Sequence, residues 1–355
     1  MKNLSIDLFG NSYDIIIKNG IIDFIGEEIK KIYPHGKVAL VTDKNVDYYY
    51  GNKVIKSLEG SGFNVKKIIM EPGEKTKSLE NVTALYNEFL DFNLSRTDLV
   101  MALGGGVIGD LTGFASATYL RGIPFVQVPT SLLAQIDSSI GGKVGVDLKR
   151  GKNLVGAFYQ PKKVIIDPGV LNTLSDRFLY DGMGEVIKYG CIRDKDLFAK
   201  LENVNGKEQL VASIEDIIFT CCNIKKRVVE KDEKDTGERM ILNFGHTIGH
   251  AIEKYFNFSK FSHGEAVAIG MYYITKISEK EGISKSGTAE RIKSLLIKYN
   301  LPWEAEIDDL ESIINTIMLD KKGSCDDISL IMIREIGDVI IHKVNKKDIK
   351  DIILI

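Results

Sequence analysis

The strongest constraint on the fold is an alternation of short β-branched runs with amphipathic segments over about the first 170 residues. The runs read KVALVTD at 37–43, NVKKIIM at 64–70, DLVMALGGG at 98–106, PFVQVPTS at 124–131 and KVIIDP at 163–168. Strands separated by helices of this length form a parallel sheet that helices cover on both faces. We therefore predict an α/β fold that begins with a parallel-sheet domain.

The pattern changes near residue 175, where helical periodicity replaces the strand runs, as in EDIIFTCCNIKKRVVE and GEAVAIGMYYITKISEKEG. The segment PGVLNTLSDRF is the predicted junction, because its Pro and Gly interrupt regular structure and Ser175 can cap the next helix. A chain of 355 residues is long enough for two domains. We predict a nucleotide-binding α/β domain over 1–174 and a mostly α-helical domain over 175–355.

Charge and composition exclude several classes of partner. The net charge of -2 gives no global reason to bind nucleic acid or an anionic membrane. The N-terminus lacks the uninterrupted apolar stretch of a signal peptide, and no segment approaches the ~18 apolar residues of a membrane span. The 4 cysteines show no Cys-x-x-Cys spacing, which favours buried thiols over disulfides. We predict a cytoplasmic protein without nucleic-acid or membrane partners.

A glycine-rich turn follows the third of these strand runs. In LGGGVIGD, Gly104, Gly106 and Gly109 satisfy G-x-G-x-x-G, which lets backbone N–H groups approach a pyrophosphate. The acidic residue expected about 20 positions further on is missing, so an ordinary Rossmann domain is disfavoured. Asp43, at the carboxyl end of VALVTD, is the alternative partner for the adenosine ribose. Alone, Asp43 would read as a plain turn residue.

The stretch SSIGGKVGVDLKRGKNLVGAFYQP at 138–161 combines glycines, lysines, an arginine and an asparagine in a loop-like segment. Glycine lets backbone come close to a ligand, and lysine is a point-charge partner for phosphate or carboxylate. We predict an anion-binding segment here. A charged surface loop is the alternative, although it does not explain the repeated GGK and GKN.

Histidines and one buried-looking carboxylate predict a metal site. NFGHTIGHAIE places His246 and His250 on one helix face, and His263 follows in SHGEAVAIGM. In DGMGEVIKYG, Glu185 and Lys188 lie three apart with little charge around them. One carboxylate and two imidazoles form a catalytic zinc set. The residues predict that two of the three histidines bind metal and the third touches substrate; ordinary histidines and a solvated salt bridge are the alternatives.

Eight motifs, in order, resemble the 3-dehydroquinate synthase family of sugar phosphate cyclases. They are PGEKTKS, GGGVIGD, RGIPFVQVPTSLLAQIDSSIGGKVGVD, GKNLVGAFYQP, GEVIKYG, LNFGHTIGHAIE, HGEAVAIGM and DKK. The resemblance covers nearly the whole chain, and the long central block is highly specific. It implies one divalent metal, zinc or cobalt, bound by Glu185, His246 and His263, which leaves His250 for the substrate. It also implies a homodimer.

The resemblance further implies the contacts of the cofactor NAD and of the substrate. The NAD contacts are Asp43, Asn45, Glu74, Lys77, Gly105, Gly106, Val107, Ile108, Gly109, Asp110, Thr130, Ser131, Asp137, Lys143, Lys152, Leu171, Asn172 and Thr173. The substrate contacts are Arg121, Lys143, Lys152, Asn153, Lys188, Lys225, Arg239, Asn243, His250 and Lys322. Lys226 and Lys321 are alternatives to their neighbours. The charged run EKDEKDTGER at 230–239 is predicted to be a solvated loop that delivers Arg239 to the histidine motif.

The implied substrate is the small-molecule sugar phosphate 3-deoxy-D-arabino-heptulosonate 7-phosphate. Its phosphate and carboxylate account for the lysines and arginines. The implied reaction is oxidation at C5 by NAD, elimination of phosphate, return of the hydride, ring opening and aldol closure to 3-dehydroquinate, with the metal as Lewis acid. NAD is used but not consumed.

Three other functions compete with this one. A metal- and NAD-dependent polyol dehydrogenase resembles the fold but has no need for the cluster of cationic residues. Another sugar phosphate cyclase, such as 2-deoxy-scyllo-inosose synthase, acts on a substrate without a carboxylate, and Arg239 and Asn243 argue against it. A non-catalytic nucleotide-binding regulator would need the sheet but not Glu185, His246 and His263.

Overall fold

The computed structural model describes residues 1–34, 36–320 and 327–353. Lys322, which the resemblance assigns to the substrate, and its alternative Lys321 lie outside the described residues. The chain divides into two compact units. The first comprises Met1–Ser175 and Ile214–Glu233, and the second comprises Asp176–Ser213 and Lys234–Ile355.

Strands and helices alternate in the first part of the chain, and helices dominate the second. The strands are β1 (Lys2–Ile6), β2 (Tyr13–Ile17), β3 (Lys37–Asp43), β4 (Asn64–Met70), β5 (Leu99–Gly104), β6 (Phe125–Pro129), β7 (Lys143–Leu148), β8 (Gly151–Phe158), β9 (Lys163–Ile166), β10 (Asp327–Glu335) and β11 (Asp338–Asn345). The α-helices are α1 (Ile25–Lys30), α2 (Lys44–Val46), α3 (Asn52–Gly60), α4 (Leu79–Asp91), α5 (Gly106–Thr118), α6 (Asp176–Arg193), α7 (Lys195–Asn203), α8 (Gly206–Lys231), α9 (His246–Tyr255), α10 (His263–Lys280), α11 (Thr288–Lys298), α12 (Leu310–Asp320) and α13 (Ile349–Ile353).

The first unit is built on a sheet of order β1-β2-β9-β6-β5-β3-β4. All neighbours are parallel except β1 and β2, which form an antiparallel pair at one edge. The five strand runs predicted from the sequence are β3, β4, β5, β6 and β9, so the predicted parallel sheet is confirmed. The sequence analysis did not identify β1 and β2 as strands.

Helices cover both faces of this sheet because successive side chains on a strand point to opposite sides. Val38 and Leu40 of β3 share a core with the helices α1 and α3. Ala39 and Val41, the intervening residues, share a second core with α4 and α5. Strands buried on both faces explain the near-continuous apolar runs in the sequence.

The segment predicted as an anion-binding loop at 138–161 is mostly an antiparallel hairpin, formed by β7 and β8. The loop prediction was wrong because the glycines serve close strand pairing. A Cβ on Gly156 would stand 2.5 Å from the carbonyl oxygen of Val144. Val144 and Val146 are buried in the core that contains α5. The packing of the hairpin therefore determines the positions of the lysines in this segment.

Residues 214–233 belong to the first unit, although the sequence analysis placed all residues from 175 onward in the second domain. The difference arises because the later part of α8 bonds to residues of the first unit. The Lys225 ammonium donates to the carbonyl oxygen of Asp137 over 2.7 Å. The Cys222 thiol lies 3.3 Å from the carbonyl oxygen of Gln135, and Glu230 accepts the Asp7 N–H over 2.8 Å.

The second unit is mostly helical, and it also contains the hairpin β10–β11. Its helix α10 packs against both α6 and α9, and these three helices carry the motifs with Glu185 and the three histidines. None of the helices in the described part of the chain is both long and apolar enough to cross a membrane.

Candidate active site

Glycines let the three helices α6, α9 and α10 approach closely. A Cβ added to Gly264 would stand 1.9 Å from the carbonyl oxygen of Asp181, and one on Gly184 would stand 2.6 Å from the carbonyl oxygen of Gly264. A Cβ on Gly270 would stand 2.0 Å from the carbonyl oxygen of Gly245. Only glycine fits at such distances, which explains the glycines that space the histidine and glutamate motifs.

This packing directs three donor atoms towards one point. Oε1 of Glu185, which is fully buried, lies 3.5 Å from Nε2 of His246 and 3.6 Å from Nε2 of His263. Two ligands that are each about 2.1 Å from one ion at a tetrahedral angle stand about 3.4 Å apart. The spacing and the donor types therefore fit a zinc-like divalent cation.

The remaining nitrogen of each imidazole faces an oxygen atom, at hydrogen-bond distance for His246 and at ion-pair distance for His263. Nδ1 of His246 lies 3.1 Å from the carbonyl oxygen of Phe244. Nδ1 of His263 lies 3.7 Å from Oε2 of Glu253. A second group with metal-ligand spacing, formed by His250, Glu253 and His263, shares His263 with the first. Nε2 of His263 faces Glu185 of the first group, and Nδ1 faces Glu253 of the second.

The surroundings of the two histidines beside Glu185 shift their pKa values in opposite directions. Burial, with the positive charge of Lys188, lowers the pKa of His246 to about 3. Burial also disfavours the charged form of His263, but Glu185 and Glu253 outweigh it and raise the pKa of His263 to about 10. Lys188, 1% exposed, contacts Glu185 directly, so the predicted i,i+3 pair is buried and not solvated.

Asp181 connects α6 with the start of α10. Its Oδ1 accepts the N–H of Gly264 over 2.6 Å, and burial raises the pKa of its carboxyl group. The N-terminus of α10 also has a capping box, in which Ser262 and Glu265 bond to each other's backbone N–H. His263 is thus held at the first residue of a well-capped helix.

Arg239 lies inside the second unit and not in a solvated loop. It is 2% exposed, in a 3-10 helix spanning Glu238–Asn243, so the predicted solvated run does not include it. Asn243 ends the same helix and lines a small cavity with Thr247 and Ile248. His246 follows three residues after Asn243, and Arg239 is therefore carried on the segment that leads directly into α9.

In the first unit, the glycine turn joins a strand to a helix as predicted. β5 ends at Gly104 and α5 begins at Gly106, with Gly105 as an N-cap that offers no side-chain hydrogen bond. A Cβ on Gly106 would stand 3.0 Å from Oγ of Ser138, so this turn stays narrow. The exposed N–H groups at a helix start fit a pyrophosphate.

A buried ion-pair network lies beside this turn. Lys77, 5% exposed, places Nζ 2.9 Å from Oδ2 of Asp110 and 3.8 Å from Oε1 of Glu74, and it donates to Oδ1 of Asn153. Burial raises the pKa of Asp110 despite the lysine. Burial opposes the charge on Lys77, but Asp110 and Glu74 outweigh it and raise its pKa. Residues predicted for NAD and for substrate thus meet here.

Asp43 also lies at the carboxyl edge of the parallel strands. Its Oδ1 accepts the N–H groups of Asn45 and Val46 over 2.9 and 3.1 Å, so it caps the short helix α2. Thr130, which follows β6, donates its N–H to Gly104 over 2.9 Å. Neighbouring strands β3, β5 and β6 therefore bring the predicted NAD residues to one edge of the sheet.

Other predicted residues are distributed around the first unit. Ser131 approaches the glycine turn, where its Oγ would be 3.5 Å from a Cβ on Gly105. Lys225 pairs with Asp137. Lys143 and Lys152 are in the hairpin, and Leu171, Asn172 and Thr173 end a 3-10 helix at Pro168–Thr173. Thr173 is held by the hydroxyl of Tyr50 at 2.7 Å.

Arg121 is not brought to the glycine turn. It is exposed and follows the far end of α5, a helix of 13 residues that spans about 20 Å. The next strand, β6, begins at Phe125, so Arg121 lies near the amino ends of the strands. Within the first unit, Arg121 therefore lies at the amino ends of the parallel strands, and the glycine turn lies at their carboxyl ends.

Comparison with known proteins identifies the family. The model of the 3-dehydroquinate synthase N-terminal region matches residues 67–181, and that of the C-terminal region matches residues 182–323. A 3-dehydroquinate synthase of Clostridium botulinum (strain Alaska E43 / Type E3) is 58% identical over 345 residues, which is 97% of this chain and 99% of the relative. The chain belongs to the 3-dehydroquinate synthase family.

Solved structures agree with this family's fold. A 2-deoxy-scyllo-inosose synthase complexed with carbaglucose-6-phosphate, NAD+ and Co2+ superposes with a TM-score of 0.86 at 26% identity, over 99% of both chains. The 2-epi-5-epi-valiolone synthase of Streptomyces hygroscopicus subsp. jinggangensis, with NAD+ and Zn2+ bound, gives a TM-score of 0.87 at 24% identity, over 96% of both chains. The predicted α/β architecture with a helical second half is confirmed.

The structure adds residues that the sequence analysis of this family member missed. Glu253 lies seven residues after His246 and three after His250, on the same face of α9. Asp181 lies one helical turn before Glu185 on α6. Both spacings were visible in the sequence. Asp147, whose Oδ1 accepts the N–H of Asn153 over 2.7 Å, had no such signal, because it depends on the hairpin.

Proposed function

We infer that this chain catalyses the reaction of its family, the conversion of 3-deoxy-D-arabino-heptulosonate 7-phosphate to 3-dehydroquinate and phosphate. This carbon–oxygen lyase reaction belongs to the shikimate pathway of aromatic amino acid biosynthesis. The observation that carries the inference is the convergence of Glu185, His246 and His263 beside the buried Lys188, in a chain 58% identical to a named 3-dehydroquinate synthase. A polyol dehydrogenase or a non-catalytic nucleotide-binding regulator would explain neither the buried Lys188 beside the cluster nor the high sequence identity to a 3-dehydroquinate synthase.

The second unit, in this proposal, holds the metal and orients the substrate. Glu185, His246 and His263 bind one zinc or cobalt ion, consistent with their 3.5 and 3.6 Å spacings. When bound, the metal supplies Lewis acidity at substrate hydroxyls, and NAD supplies a reversible hydride acceptor. Lys188 offers a positive charge beside the cluster, where little water competes for an anion.

The first unit, in this proposal, binds NAD. The N–H groups at the start of α5 receive the pyrophosphate, and Asp43 at the tip of β3 lies where a ribose is held in open α/β sheets. Lys77 and Asp110 hold each other and Asn153 in place beside the turn. The sequence predicted an NAD-binding domain over 1–174 and a metal- and substrate-binding domain over 175–355. We keep this division in the proposal, except that residues 214–233 are assigned to the first unit.

One experiment tests the reaction directly. Purified protein is incubated with the heptulosonate phosphate, NAD and zinc, while released phosphate and NADH are followed together. We expect one phosphate per substrate without net NADH, because the hydride is returned before product leaves. Accumulation of NADH in proportion to turnover would favour a dehydrogenase, and absence of both signals in zinc-loaded protein would favour a non-catalytic nucleotide binder.

Substitution of Arg239 tests whether the substrate carries a carboxylate, and so distinguishes this reaction from that of a cyclase whose substrate lacks one. A guanidinium binds carboxylate through two parallel hydrogen bonds that lysine cannot reproduce. We expect Arg239→Lys to lower kcat/KM by roughly 30- to 1,000-fold, with metal and NAD still bound. Arg193→Lys is the matched control, since Arg193 pairs with Glu238 at the surface. Equal kcat/KM for both variants would argue for the other cyclase.

A homodimer is part of the proposal, and the position of Arg121 supports it. If Arg121 contacts a substrate that lies beside NAD at the glycine turn, a second copy of the chain has to supply it, because within its own unit this residue lies at the far end of α5. Mixing inactive Arg121→Ala with inactive His246→Ala, followed by unfolding and refolding together, should restore about a quarter of wild-type activity. No recovery in mixed dimers would mean that Arg121 acts within its own chain, and an active Arg121→Ala variant would place it outside the site.

A cytoplasmic location also remains a proposal. Cys191, Cys221 and Cys222 are buried free thiols, as the sequence analysis predicted, and such thiols persist in a reducing compartment. Cell fractionation with an antibody to the chain would test it. Recovery in an envelope fraction would contradict it.

A further inference from the structure

The two histidines that face Glu185 direct their Nδ1 atoms towards different kinds of oxygen atom. Both direct Nε2 to the same oxygen of Glu185. Nδ1 of His246 lies 3.1 Å from a backbone carbonyl, whereas Nδ1 of His263 lies 3.7 Å from the Glu253 carboxylate. The oxygen that faces Nδ1 of His246 belongs to the backbone, so no side-chain substitution removes it. The oxygen that faces Nδ1 of His263 belongs to the Glu253 side chain and can be removed by mutation.

A neutral imidazole offers a lone pair on one nitrogen and a proton on the other. If His246 carries its proton on Nδ1, where Phe244 accepts it, Nε2 is the nitrogen that can bind metal. A site with Glu185 then needs Nε2 of His263 as well, which places the second proton on Nδ1, facing Glu253. The alternative group of His250, Glu253 and His263 would require the opposite tautomer.

Burial supports an accepting role for Glu253. Its side chain is 3% exposed, and an ionised carboxylate is kept at such a place only where it has hydrogen-bonding partners. It projects from α9, while His263 is the first residue of α10. Glu253 thus links α9 to the imidazole of His263 at the start of α10. The His263 side chain is 30% exposed.

We propose that Glu253 is a positioning residue that accepts the Nδ1 proton of His263 and fixes its tautomer and orientation for metal binding. The proposal rests on the proposed function, because it deepens the metal site formed by Glu185, His246 and His263. Outer carboxylates of this kind set the orientation and basicity of a histidine ligand, and their loss weakens metal binding by about 10- to 100-fold. Glu253 itself does not bind the ion.

Metal affinity, measured without turnover, tests this role. Metal-free protein is titrated with zinc against a competing chelator. We expect Glu253→Gln, which keeps an acceptor oxygen, to weaken zinc about 10-fold, and Glu253→Ala to weaken it towards 100-fold. Both should retain one zinc per chain. Glu185→Gln reports on the site itself, since it removes a proposed ligand: unchanged zinc affinity there would overturn the proposed function, independently of Glu253.

The visible spectrum of cobalt-loaded protein separates positioning from ligation. We expect Glu253→Gln to keep the wild-type band pattern, because the ligand set is unchanged, whereas Glu185→Gln alters it. A changed pattern in Glu253→Gln would make Glu253 a ligand and overturn the proposal. Wild-type zinc affinity in Glu253→Ala would also overturn it.

Glu265→Gln is the structural control. Glu265 caps the same helix that His263 begins, with Oε2 accepting the Ser262 N–H over 2.8 Å. It should lower Tm without changing zinc affinity. If Glu265→Gln weakened zinc as much as Glu253→Gln, the effect would come from a loosened helix start, and the tautomer role would be rejected.

Discussion

Glycines in the two units are enclosed by different kinds of atoms. Near α5, a Cβ on Gly104, Gly109 or Gly113 would meet the side chains of Ile108, Gln127 or Val144 at 2.6, 2.6 or 2.4 Å. Among α6, α9 and α10, a Cβ on Gly184, Gly249, Gly264 or Gly270 would meet backbone oxygens of Gly264, Ala266, Asp181 or Gly245 at 2.6, 2.9, 1.9 or 2.0 Å. The contacts near α5 involve side chains, which a mutation can make smaller. The contacts among α6, α9 and α10 involve backbone atoms, which no mutation removes.

The difference extends to the functional side chains. Glu185 and the histidines sit on regular helices that touch backbone to backbone, so their spacing follows from helix geometry. Lys77, Asp110 and Asn153 come from a turn, a helix start and a hairpin, and ion pairs hold them together. The metal cluster should therefore tolerate loss of a ligand without unfolding, whereas the ion-pair network should lose stability when one partner is removed.

Removal of a proposed metal ligand gives the largest expected effect. His246→Ala should weaken zinc by more than about 1,000-fold, since it removes one of the three proposed protein ligands, while circular dichroism stays close to wild type. His342→Ala, in β11, is the control and should bind zinc normally. Full zinc occupancy in His246→Ala, measured by elemental analysis after chelator treatment, would reject the metal assignment.

Breaking the network of the first unit should affect stability. Lys77→Met removes the cation that contacts Asp110, whose side chain is 17% exposed, and this should lower the free energy of unfolding by about 2 kcal/mol. Lys77→Met combined with Asp110→Asn should recover part of this loss, because the carboxylate of Asp110 is then removed while Glu74 still lacks its cation. Chemical denaturation of the single and double variants measures the coupling. Strictly additive effects would show that the pair is not energetically linked.

The glycines test the comparison directly. Gly113→Ala should destabilise by about 1–3 kcal/mol, because its Cβ would stand 2.4 Å from Cγ1 of Val144. Val144→Ala should relieve that clash, so the double variant should be more stable than the sum of the two single effects predicts. Gly264→Ala should destabilise at least as much, and Asp181→Ala should give little relief, because the nearest obstacle, at 1.9 Å, is a carbonyl oxygen.

Gly60→Ala is the control for both glycine variants. Gly60 ends α3, and a Cβ there would meet nothing within 4 Å. It should be neutral or slightly stabilising. Thermal unfolding of the full set measures these differences. Full relief of Gly264→Ala by any substitution at Asp181 would contradict the backbone explanation.

The smallest expected effect concerns the capping carboxylate of α10. Burial opposes the charge on Glu265, but the Ser262 N–H and Arg177 outweigh it and hold the pKa of Glu265 below its usual 4.5. Its contribution is therefore present above about pH 4.5 and is lost as pH falls through the lowered value. Glu265→Gln should lower stability by about 1 kcal/mol near neutral pH.

The gap in stability between Glu265→Gln and wild type should narrow as the pH falls below about 4.5 and through the lowered pKa, because the wild-type carboxyl then becomes protonated. Denaturation curves at several pH values measure it. A gap that widened on acidification would contradict the sign of this pKa shift.

The sequence predicted the parallel sheet and the helical half well, because their signals are local. Strand runs such as 37–43 became β3 without change of bounds. His246 and His250 were four apart on what proved to be α9, so one face could be anticipated. The glycine turn also joined β5 to α5 as expected.

Features that depend on tertiary pairing could not be anticipated. The β7–β8 hairpin was taken for a loop, because its glycines and lysines mask the alternation of Val144 and Val146. The burial of Arg239 was hidden by the charged residues before it. The far position of Arg121 follows from the length and direction of α5, which motif spacing does not reveal.

The backbone contacts among α6, α9 and α10 have a consequence for how this family evolves. A position blocked by a side chain can change when its neighbour shrinks, so Gly109 with Gln127, or Gly113 with Val144, are free to drift as pairs. A position blocked by a carbonyl oxygen has no neighbour whose mutation makes room. Residues 184, 249, 264 and 270 should therefore carry no co-variation signal in related sequences, and methods that infer contacts from paired substitutions will overlook the helix crossings that assemble the metal ligands.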